Sequence, residues 1–136
     1  MINIGFVGNR AYTNRAKIRE VMLACVEEYG KEGFAVVSGG CPDGADALAK
    51  AVAIELGLKY REYAPAHFKY QPHMIGEPSD YGKIYSASNY HIRNEKIAKN
   101  CKIVLAFVVK GKSRRGTDST LRFCDQYKTQ TVVYED

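Results

Sequence analysis

Two kinds of apolar pattern alternate along the whole chain, and this alternation restricts the fold more than any other feature of the sequence. Short apolar runs typical of buried strands occur at 2–7, 34–38, 58–63, 103–109 and 131–134. The segments between them have helical spacing or contain a helix-like stretch. Connections of that length join parallel strands. The sequence therefore predicts an α/β fold with a parallel sheet of about five strands.

The helical segments have recognisable starts and faces. Thr13 or Asn14 is expected to cap the first helix, because either side chain can accept a hydrogen bond from the first turn. The second helix, over 45–56, has an alanine-rich apolar face that can pack close to a sheet. Two more helices are predicted over 90–99 and 117–127. Helices on both faces of a parallel sheet make a three-layer, Rossmann-like sandwich, which is the fold class that we predict.

The length and the hydrophobic content fit one domain. A chain of 136 residues with 46% hydrophobic residues can bury a core without disulfide or metal staples. No apolar run reaches the roughly 20 residues that span a bilayer, and no basic stretch precedes an apolar one at the start. We therefore expect a cytoplasmic protein without a membrane partner. We predict a single domain over 1–136, with a lid-like insertion at about 64–88 that has no regular period.

The four cysteines do not form a metal-binding pattern. They are Cys25, Cys41, Cys101 and Cys124, and no two have the C-x-x-C spacing of a zinc site. Three of them fall in apolar patterns and are expected to be small core residues, whereas Cys41 lies in a glycine-rich turn. We predict no metal site and no cofactor.

Three polar segments that contain glycine follow predicted strands, at 8–10, 38–46 and 110–117. The carboxyl ends of parallel strands meet at one edge of the sheet, and ligands of α/β proteins bind there. Glycines in the second segment would let backbone N–H groups point at an anion beside the start of a helix. In the third segment, Gly116-Thr117 opens the next helix. The second and third segments, at 38–46 and 110–117, together predict phosphate or nucleotide binding.

The charge of the chain agrees with an anionic ligand. The chain has 20 Lys and Arg against 15 Asp and Glu, a net charge of +5. Four of the cations lie within 110–115, and Arg10 and Arg93 are expected to join them. The excess favours a phosphate pocket of small-molecule size over a broad nucleic-acid-binding face. Neither G-x-G-x-x-G nor G-x-x-x-x-G-K-[ST] occurs, which argues against NAD-dependent oxidoreductases and P-loop NTPases.

Five segments carry a resemblance to a known family. They are Gly8-Asn9-Arg10, the run from Gly39 to Ala49, Tyr81-Gly82-Lys83, Arg93-Asn94 and Ser113-Arg114-Arg115-Gly116-Thr117. In these segments the chain resembles the SLOG superfamily, which contains the Lonely guy phosphoribohydrolases and the DNA-processing protein A domain. It is most similar to the small bacterial and phage proteins of the YspA, or cpYpsA-related, branch. The resemblance implies a Rossmann-like nucleotide or nucleotide-derivative binder that forms a homo-oligomer, dimer or larger.

Two departures from that family bear on the lid and its ligand and on activity. The region at 70–90 is longer than this branch usually has. The phosphoribohydrolases carry P-G-G-x-G-T-x-x-E, whose Glu assists cleavage of the N-glycosidic bond, and Thr120 stands at the position of that Glu. Phosphoribohydrolase activity is therefore not carried over. The remaining candidates for a catalytic group are Asp46, Asp118 and His91.

The residues expected to contact a ligand lie in the matching segments and at helix starts. They are Gly8, Asn9, Arg10, Ser38, Gly39, Gly40, Asp43, Gly44, Asp46, Tyr81, Lys83, Arg93, Asn94, Ser113, Arg114, Arg115, Gly116 and Thr117. A carboxylate at the position of Asp46 can also serve only the helix dipole. Tyr81, Tyr85 and Tyr90 can stack on a base or pack the lid itself.

Three functions are compatible with these features. The first is a binding protein that senses or sequesters a nucleotide-derived small molecule, as a phage protein that captures a defence signal would. The second is a hydrolase that cleaves the N-glycosidic or phosphate bond of a nucleotide derivative through Asp46 or Asp118. The third is single-stranded nucleic-acid binding through the cations of 110–115. The missing Glu favours the first function over the second, and the moderate charge counts against the third.

Overall fold

Strands and helices alternate along the computed structural model, which describes all 136 residues, Met1–Asp136. The strands are β1 (Ile2–Gly8), β2 (Phe34–Ser38), β3 (Lys59–Glu62), β4 (Ile103–Val108) and β5 (Gln130–Glu135). The α-helices are α1 (Arg15–Tyr29), α2 (Gly44–Glu55), α3 (Ser88–Asn100) and α4 (Arg115–Tyr127). None of these helices is long and apolar enough to cross a membrane.

All five strands are parallel, and their order in the sheet is β3-β2-β1-β4-β5. The central strand β1 pairs with β2 and with β4, for example through Phe6 and Leu105. The chain first adds strands on one side of β1 and later on the other, so the strand order reverses between β1 and β4. The predicted α/β fold, a three-layer Rossmann-like sandwich, is confirmed. Such a reversal leaves room for a ligand beyond the carboxyl ends of the two strands.

Successive side chains of the strands enter two separate hydrophobic clusters. Ile4 and Phe6 of β1 belong to the cluster that includes residues of α1 and α2. Val7, the next residue, belongs to the cluster that includes Ile97 of α3 and Cys124 of α4. Successive side chains of a strand point to opposite faces of the sheet. One face is covered by α1 and α2, and the other by α3 and α4.

The alanine-rich face of α2 lies against the sheet, as predicted. Ala45, Ala49 and Ala53 are buried, and these short side chains let the helix approach the strands closely. At its first turn, the Ala45 N–H donates to the Asn9 carbonyl at 3.1 Å. The start of α2 is thereby held beside the loop that follows β1.

Helix α1 begins at the predicted cap. The Asn14 side chain accepts a hydrogen bond from the Lys17 N–H at 3.0 Å, which satisfies one of the free donors of the first turn. At the other end, the Gly30 N–H donates to the Val26 carbonyl at 2.8 Å. The alternative cap, Thr13, is not the one used.

The three cysteines predicted to be core residues pack in the interior. Cys101 and Cys124 are buried, and Cys25 is half-buried. Burial raises the pKa of Cys101 to about 12 and the pKa values of Cys25 and Cys124 to about 11. Because only the thiolate is a good nucleophile, these three side chains are packing groups.

Residues 63–87, between β3 and α3, form a long connection that we call the lid. The Gly82 N–H donates to the Phe68 carbonyl at 2.8 Å, which closes the connection near its base. A parallel bridge between Glu62 and the buried Met74 attaches the middle of the connection to β3, an edge strand of the sheet. The connection lies where a lid-like insertion is expected from the sequence, at about 64–88, and its role as a lid stays a prediction.

Candidate functional site

A crevice of about 630 Å³ lies where the strand order reverses. It is lined by the end of β1, the loop after β2, α3, the lid and the loop that leads into α4. Its volume falls in the range of roughly 300–1,000 Å³ that is usual for small-molecule pockets. We refer to it below as the crevice.

Asn9 holds together the loops that follow β1 and β4. Its side chain is 5% exposed, and its Nδ2 donates to the Ser113 carbonyl at 2.6 Å. Its Oδ1 accepts a hydrogen bond from the Val109 N–H at 2.7 Å. Because both ends of the amide are bonded to the second loop, Asn9 fixes the position of that loop beside the crevice.

The start of α4 is the part of the crevice best suited to an anion. Gly116 and Thr117 lie in the first turn of the helix and line the crevice. The first N–H groups of a helix have no partner within it, and the helix dipole favours negative charge there. Lys112 and Arg115 line the same part of the crevice and add positive charge. This arrangement is typical of phosphate sites.

The loop after β2 differs from its predicted role, in which its N–H groups point at a ligand. The Cys41 N–H donates to Asp46 Oδ2 at 3.1 Å. The Gly40 N–H donates to Ser38 Oγ at 3.2 Å. The anion that this loop holds is therefore a carboxylate of the protein itself.

Asp46 and Arg93 bring opposite charges together on the wall of the crevice. Asp46 is 8% exposed, and Arg93 donates through Nη1 to the Gly39 carbonyl and through Nε to Asn94 Oδ1 at 2.8 Å. Burial raises the pKa of the Asp46 carboxyl, although the Arg93 charge and the Cys41 N–H oppose the rise. Burial lowers the pKa of Arg93, and the Asp46 charge opposes this. A guanidinium stays protonated at neutral pH.

A buried chain of hydrogen bonds supports the loop after β2 from behind. Ser38 Oγ lies 2.6 Å from the Tyr60 hydroxyl, which donates to Glu62 Oε1 at 2.9 Å. Lys50 Nζ lies 3.3 Å from the same oxygen. Burial raises the pKa of Tyr60, so the phenol keeps the proton that it donates to Glu62. Through Ser38, the chain ends on the Gly40 N–H and restrains the loop.

Aromatic side chains line the side of the crevice formed by the lid and α3. Phe68 and Tyr85 come from the lid, and Tyr90 comes from the first turn of α3. The His67 ring packs edge-on against them, with its centre 4.8 Å from that of Tyr85 and 5.1 Å from that of Tyr90. The Tyr90 ring in turn lies 5.8 Å from Cζ of Arg93. A flat ligand ring can stack here.

No match is found in comparisons of the chain with protein-family models, with curated proteins or with solved structures. The resemblance to the SLOG superfamily therefore stays a prediction. The site is interpreted from its own geometry.

The structure brings most of the predicted ligand-binding residues together at the crevice. Those that line it are Gly8, Asn9, Arg10, Gly39, Asp46, Arg93, Asn94, Ser113, Arg115, Gly116 and Thr117. They come from four separate parts of the chain, and the parallel sheet brings these parts to one edge.

The other predicted residues lie outside the crevice. Asp43 and Gly44 line a shallower groove at the start of α2. The Tyr81 ring packs on Tyr70, and its hydroxyl donates to the Ile75 carbonyl, so this side chain serves the lid. The remainder are Ser38, which ends β2, Gly40 in the loop after β2, Lys83, which is exposed on the lid, and Arg114, which pairs with Asp118.

Of the three candidates for a catalytic group, only Asp46 lines the crevice. Asp118 accepts a hydrogen bond from Arg114 Nε at 3.2 Å on α4. His91 Nδ1 lies 3.1 Å from Ser119 Oγ, also away from the crevice. No group of three or more His, Cys, Asp and Glu side chains is arranged to hold a metal ion.

Nine residues that line the crevice are absent from the predicted ligand-binding set, as is the supporting residue Glu62; the nine are Val7, Ala11, Cys41, Phe68, Tyr85, Tyr90, Ile97, Lys112 and Thr120. Cys41 lines the crevice, and its place directly after Gly39-Gly40 was a usable signal. Phe68 also lines it, but no periodic pattern in the lid distinguishes this aromatic residue from its neighbours. Glu62 is 3% exposed because it shares the buried face of β3 with Tyr60, and only the folded chain reveals its partners.

The raised pKa of Asp46 leads to a prediction for stability. The folded protein holds this proton more tightly than the unfolded chain, so the contribution of Asp46 to the free energy of unfolding is greatest below pH 3.8, its ordinary pKa. It decreases as the pH rises through the folded-state pKa. Asp46→Asn cannot titrate. We expect the free energy of unfolding of the wild type, minus that of Asp46→Asn, to fall as the pH rises above 3.8 and then to level off.

Urea unfolding of both proteins at a series of pH values measures this difference. Asp125→Asn is a matched control, because Asp125 is exposed on α4 outside the crevice. This control measures the effect of removing an exposed carboxylate from α4 at each pH. A profile for Asp46→Asn that stays flat or rises with pH contradicts the prediction.

Proposed function

We propose that the crevice binds a nucleotide or a nucleotide-derived small molecule, which the protein senses or sequesters. The observation that carries this proposal is the order of three kinds of group along one crevice. The aromatic rings come first, and next to them is Arg93, whose Cζ lies 5.8 Å from the centre of the Tyr90 ring. The next residue, Asn94, donates to the Gly116 carbonyl at 3.4 Å, at the start of α4. A nucleotide has the same order of parts, which are base, sugar and phosphate.

The phosphate is best stabilised at the start of α4. The Gly116 and Thr117 N–H groups and the helix dipole act there together, whereas the Arg115 N–H donates to Ser113 Oγ at 3.5 Å. Arg10, Lys112 and Arg115 line the crevice and supply forks or point charges for the phosphate oxygens. The loop after β2 is unsuited to a phosphate, because the Asp46 carboxylate already accepts its Cys41 N–H and Ser38 Oγ accepts its Gly40 N–H.

The base is best placed against Phe68, Tyr85 and Tyr90. Stacking of a base on an aromatic side chain contributes about 1–3 kcal/mol, and every base has a face that can stack. This contact therefore supports a nucleotide without selecting one base. Tyr85 is mostly exposed, so a ligand that covers it removes apolar surface from water.

Binding without turnover is favoured over catalysis by the residues around the proposed sugar position. Asp118 and His91 lie outside the crevice. Thr120, at the position of the phosphoribohydrolase Glu, donates through Oγ1 to the Gly116 carbonyl at 3.3 Å. The resemblance to the SLOG superfamily also implies nucleotide binding. Capture of a defence signal by a phage protein would be one form of sequestration.

Hydrolysis of a nucleotide derivative is a second candidate function, and Asp46 is the observation that favours it. A carboxyl group with a raised pKa inside a crevice is typical of a general acid or base. The two functions differ in what the protein releases. Sequestration predicts that a bound nucleotide is recovered intact after denaturation, whereas hydrolysis predicts free base or inorganic phosphate.

Arg115→Ala tests the proposed phosphate position. We expect nucleotide affinity to fall about tenfold, because one charge-assisted hydrogen bond contributes about 1.5 kcal/mol at a partly exposed site. Isothermal titration calorimetry with AMP, GMP, CMP and UMP measures the change. Arg122→Ala is the control, since Arg122 is exposed on the same helix and does not line the crevice.

Equal affinity of Arg115→Ala and the wild type would place the phosphate elsewhere. Single-stranded nucleic-acid binding, the third function, makes a different prediction. It requires affinity for oligonucleotides that rises with their length and falls steeply with salt concentration. Such a result, with no binding of the mononucleotides, would overturn the proposed function.

A further inference from the structure

The Asp46 carboxylate stands where the glycine-rich loop after β2 would otherwise hold a phosphate. Its Oδ2 accepts the Cys41 N–H at 3.1 Å. It is more than nine-tenths buried, and its exposed part lines the crevice. A ligand group that meets it must therefore donate a hydrogen bond and must not carry negative charge.

The carboxylate also has a defined position along the ligand path. Asp46 Oδ2 and Arg93 Nη1 are both neighbours of Gly39, because a Cβ added at that glycine would lie 3.0 Å from the first atom and 2.2 Å from the second. Arg93 in turn lies between the Tyr90 ring and Asn94, which reaches the start of α4. Asp46 therefore lies beside Arg93, the residue that connects the aromatic part of the crevice with its helix start.

We propose that Asp46 is a specificity-determining residue that accepts a hydrogen bond from a ribose hydroxyl, so the ligand is a ribonucleotide derivative and not a deoxyribonucleotide one. This inference rests on the proposed function. In a nucleotide, the sugar hydroxyls are the neutral donors that lie between the base and the phosphate. A buried acceptor without its donor is costly, so a ligand that lacks the hydroxyl is discriminated against.

The surroundings hold the carboxylate ready for this contact. Ser38, Tyr60 and Glu62 form the buried hydrogen-bond chain that restrains the Gly40 N–H. The loop that holds Asp46 is thus fixed from behind, and the carboxylate does not need to rearrange when a ligand enters. Preorganisation of this kind lowers the cost of binding and sharpens discrimination.

The wild-type protein gives the first test, which needs no substitution. AMP, GMP, CMP and UMP are titrated beside their 2′-deoxy and 3′-deoxy forms, and the ratio of dissociation constants is measured for each base that binds. We expect at least one deoxy form to bind about tenfold more weakly than its ribonucleotide. Asp46→Ala should reduce that ratio to about one. Asp125→Ala, a matched substitution on an exposed face of α4, should retain it.

The outcomes distinguish failure of the ribose-hydroxyl inference from failure of the proposed nucleotide binding. Ribonucleotide and both deoxy forms binding with equal affinity would overturn the inference and leave the proposed function intact. A wild-type preference that persists in folded Asp46→Ala would also overturn it, because another group would then read the hydroxyl. Failure of all the nucleotides to bind would overturn the proposed function itself.

Discussion

Gly39→Ala is expected to fold and to lose nearly all affinity for nucleotides. A Cβ at this position would lie 2.2 Å from Arg93 Nη1 and 3.0 Å from Asp46 Oδ2. Gly39 has no positive φ, so alanine fits the backbone, and the flexible end of the arginine side chain must give way. The displaced guanidinium would leave the Gly39 carbonyl and disturb the wall of the crevice. Two disrupted contacts correspond to an affinity loss of about 100-fold.

Calorimetric titration with the nucleotide that binds best measures this loss, and urea unfolding checks the fold. Gly30→Ala is the control. Gly30 has a φ of 79°, and a Cβ there would meet no atom within 4 Å. That variant should lose about 1 kcal/mol of stability and no affinity. An affinity of Gly39→Ala within about threefold of the wild type would remove Arg93 and Asp46 from the binding site.

Gly44→Ala is expected to cause a large loss of stability. Its φ is 69°, and a Cβ would lie 2.2 Å from the Asn9 carbonyl oxygen and 2.5 Å from Cα of Arg10. Both neighbours are main-chain atoms, so the clash is relieved only if α2 moves away from the loop after β1. That movement breaks the hydrogen bond from the Ala45 N–H to Asn9. We expect the free energy of unfolding to fall by about 3 kcal/mol or more.

Urea unfolding of Gly44→Ala beside Gly111→Ala isolates the cause of this loss. Gly111 has a similar φ of 80°, but a Cβ there would meet no atom within 4 Å. Gly111→Ala therefore carries the backbone strain without the close approach, and it should cost about 1 kcal/mol. Equal losses in the two variants would mean that the contact between α2 and the loop after β1 does not stabilise the fold.

The fold was predictable because each element carries its own local pattern. The buried alanines of α2 recur at helical spacing, and Asn14 stands directly before the first helical turn. Parallel pairing then follows from the length of the connections, and it brings the ends of β1, β2 and β4 to one edge. Local patterns therefore predicted where the crevice would lie.

Local patterns did not predict which residues of each loop line the crevice and which bind to other protein groups. Arg114 and Arg115 are neighbours, yet α4 begins at Arg115, and this places Arg114 within reach of Asp118 four residues on. Arg115 lines the crevice instead. Two adjacent cations look alike in a sequence, and only the position of the helix start separates their roles.

The loop after β2 gives the second example. Its glycines predict free N–H groups, but the chain turns into α2 so tightly that Asp46, five residues after Cys41, reaches back to accept the Cys41 N–H. Glu62 and Tyr60 support the same loop from β3, which no local pattern connects to it. Contacts of this kind depend on tertiary packing, and they decide which part of the crevice suits a phosphate.

Mass spectrometry of the small molecules released when the purified protein is denatured tests the central claim most directly. Wild-type protein should release a phosphate-bearing nucleotide derivative, in an amount comparable to that of the protein. Gly39→Ala, purified in the same way, should release little or none. Release of the same compounds in the same amounts from both proteins, or of no nucleotide derivative from the wild type, would contradict the claim that this crevice is a nucleotide site.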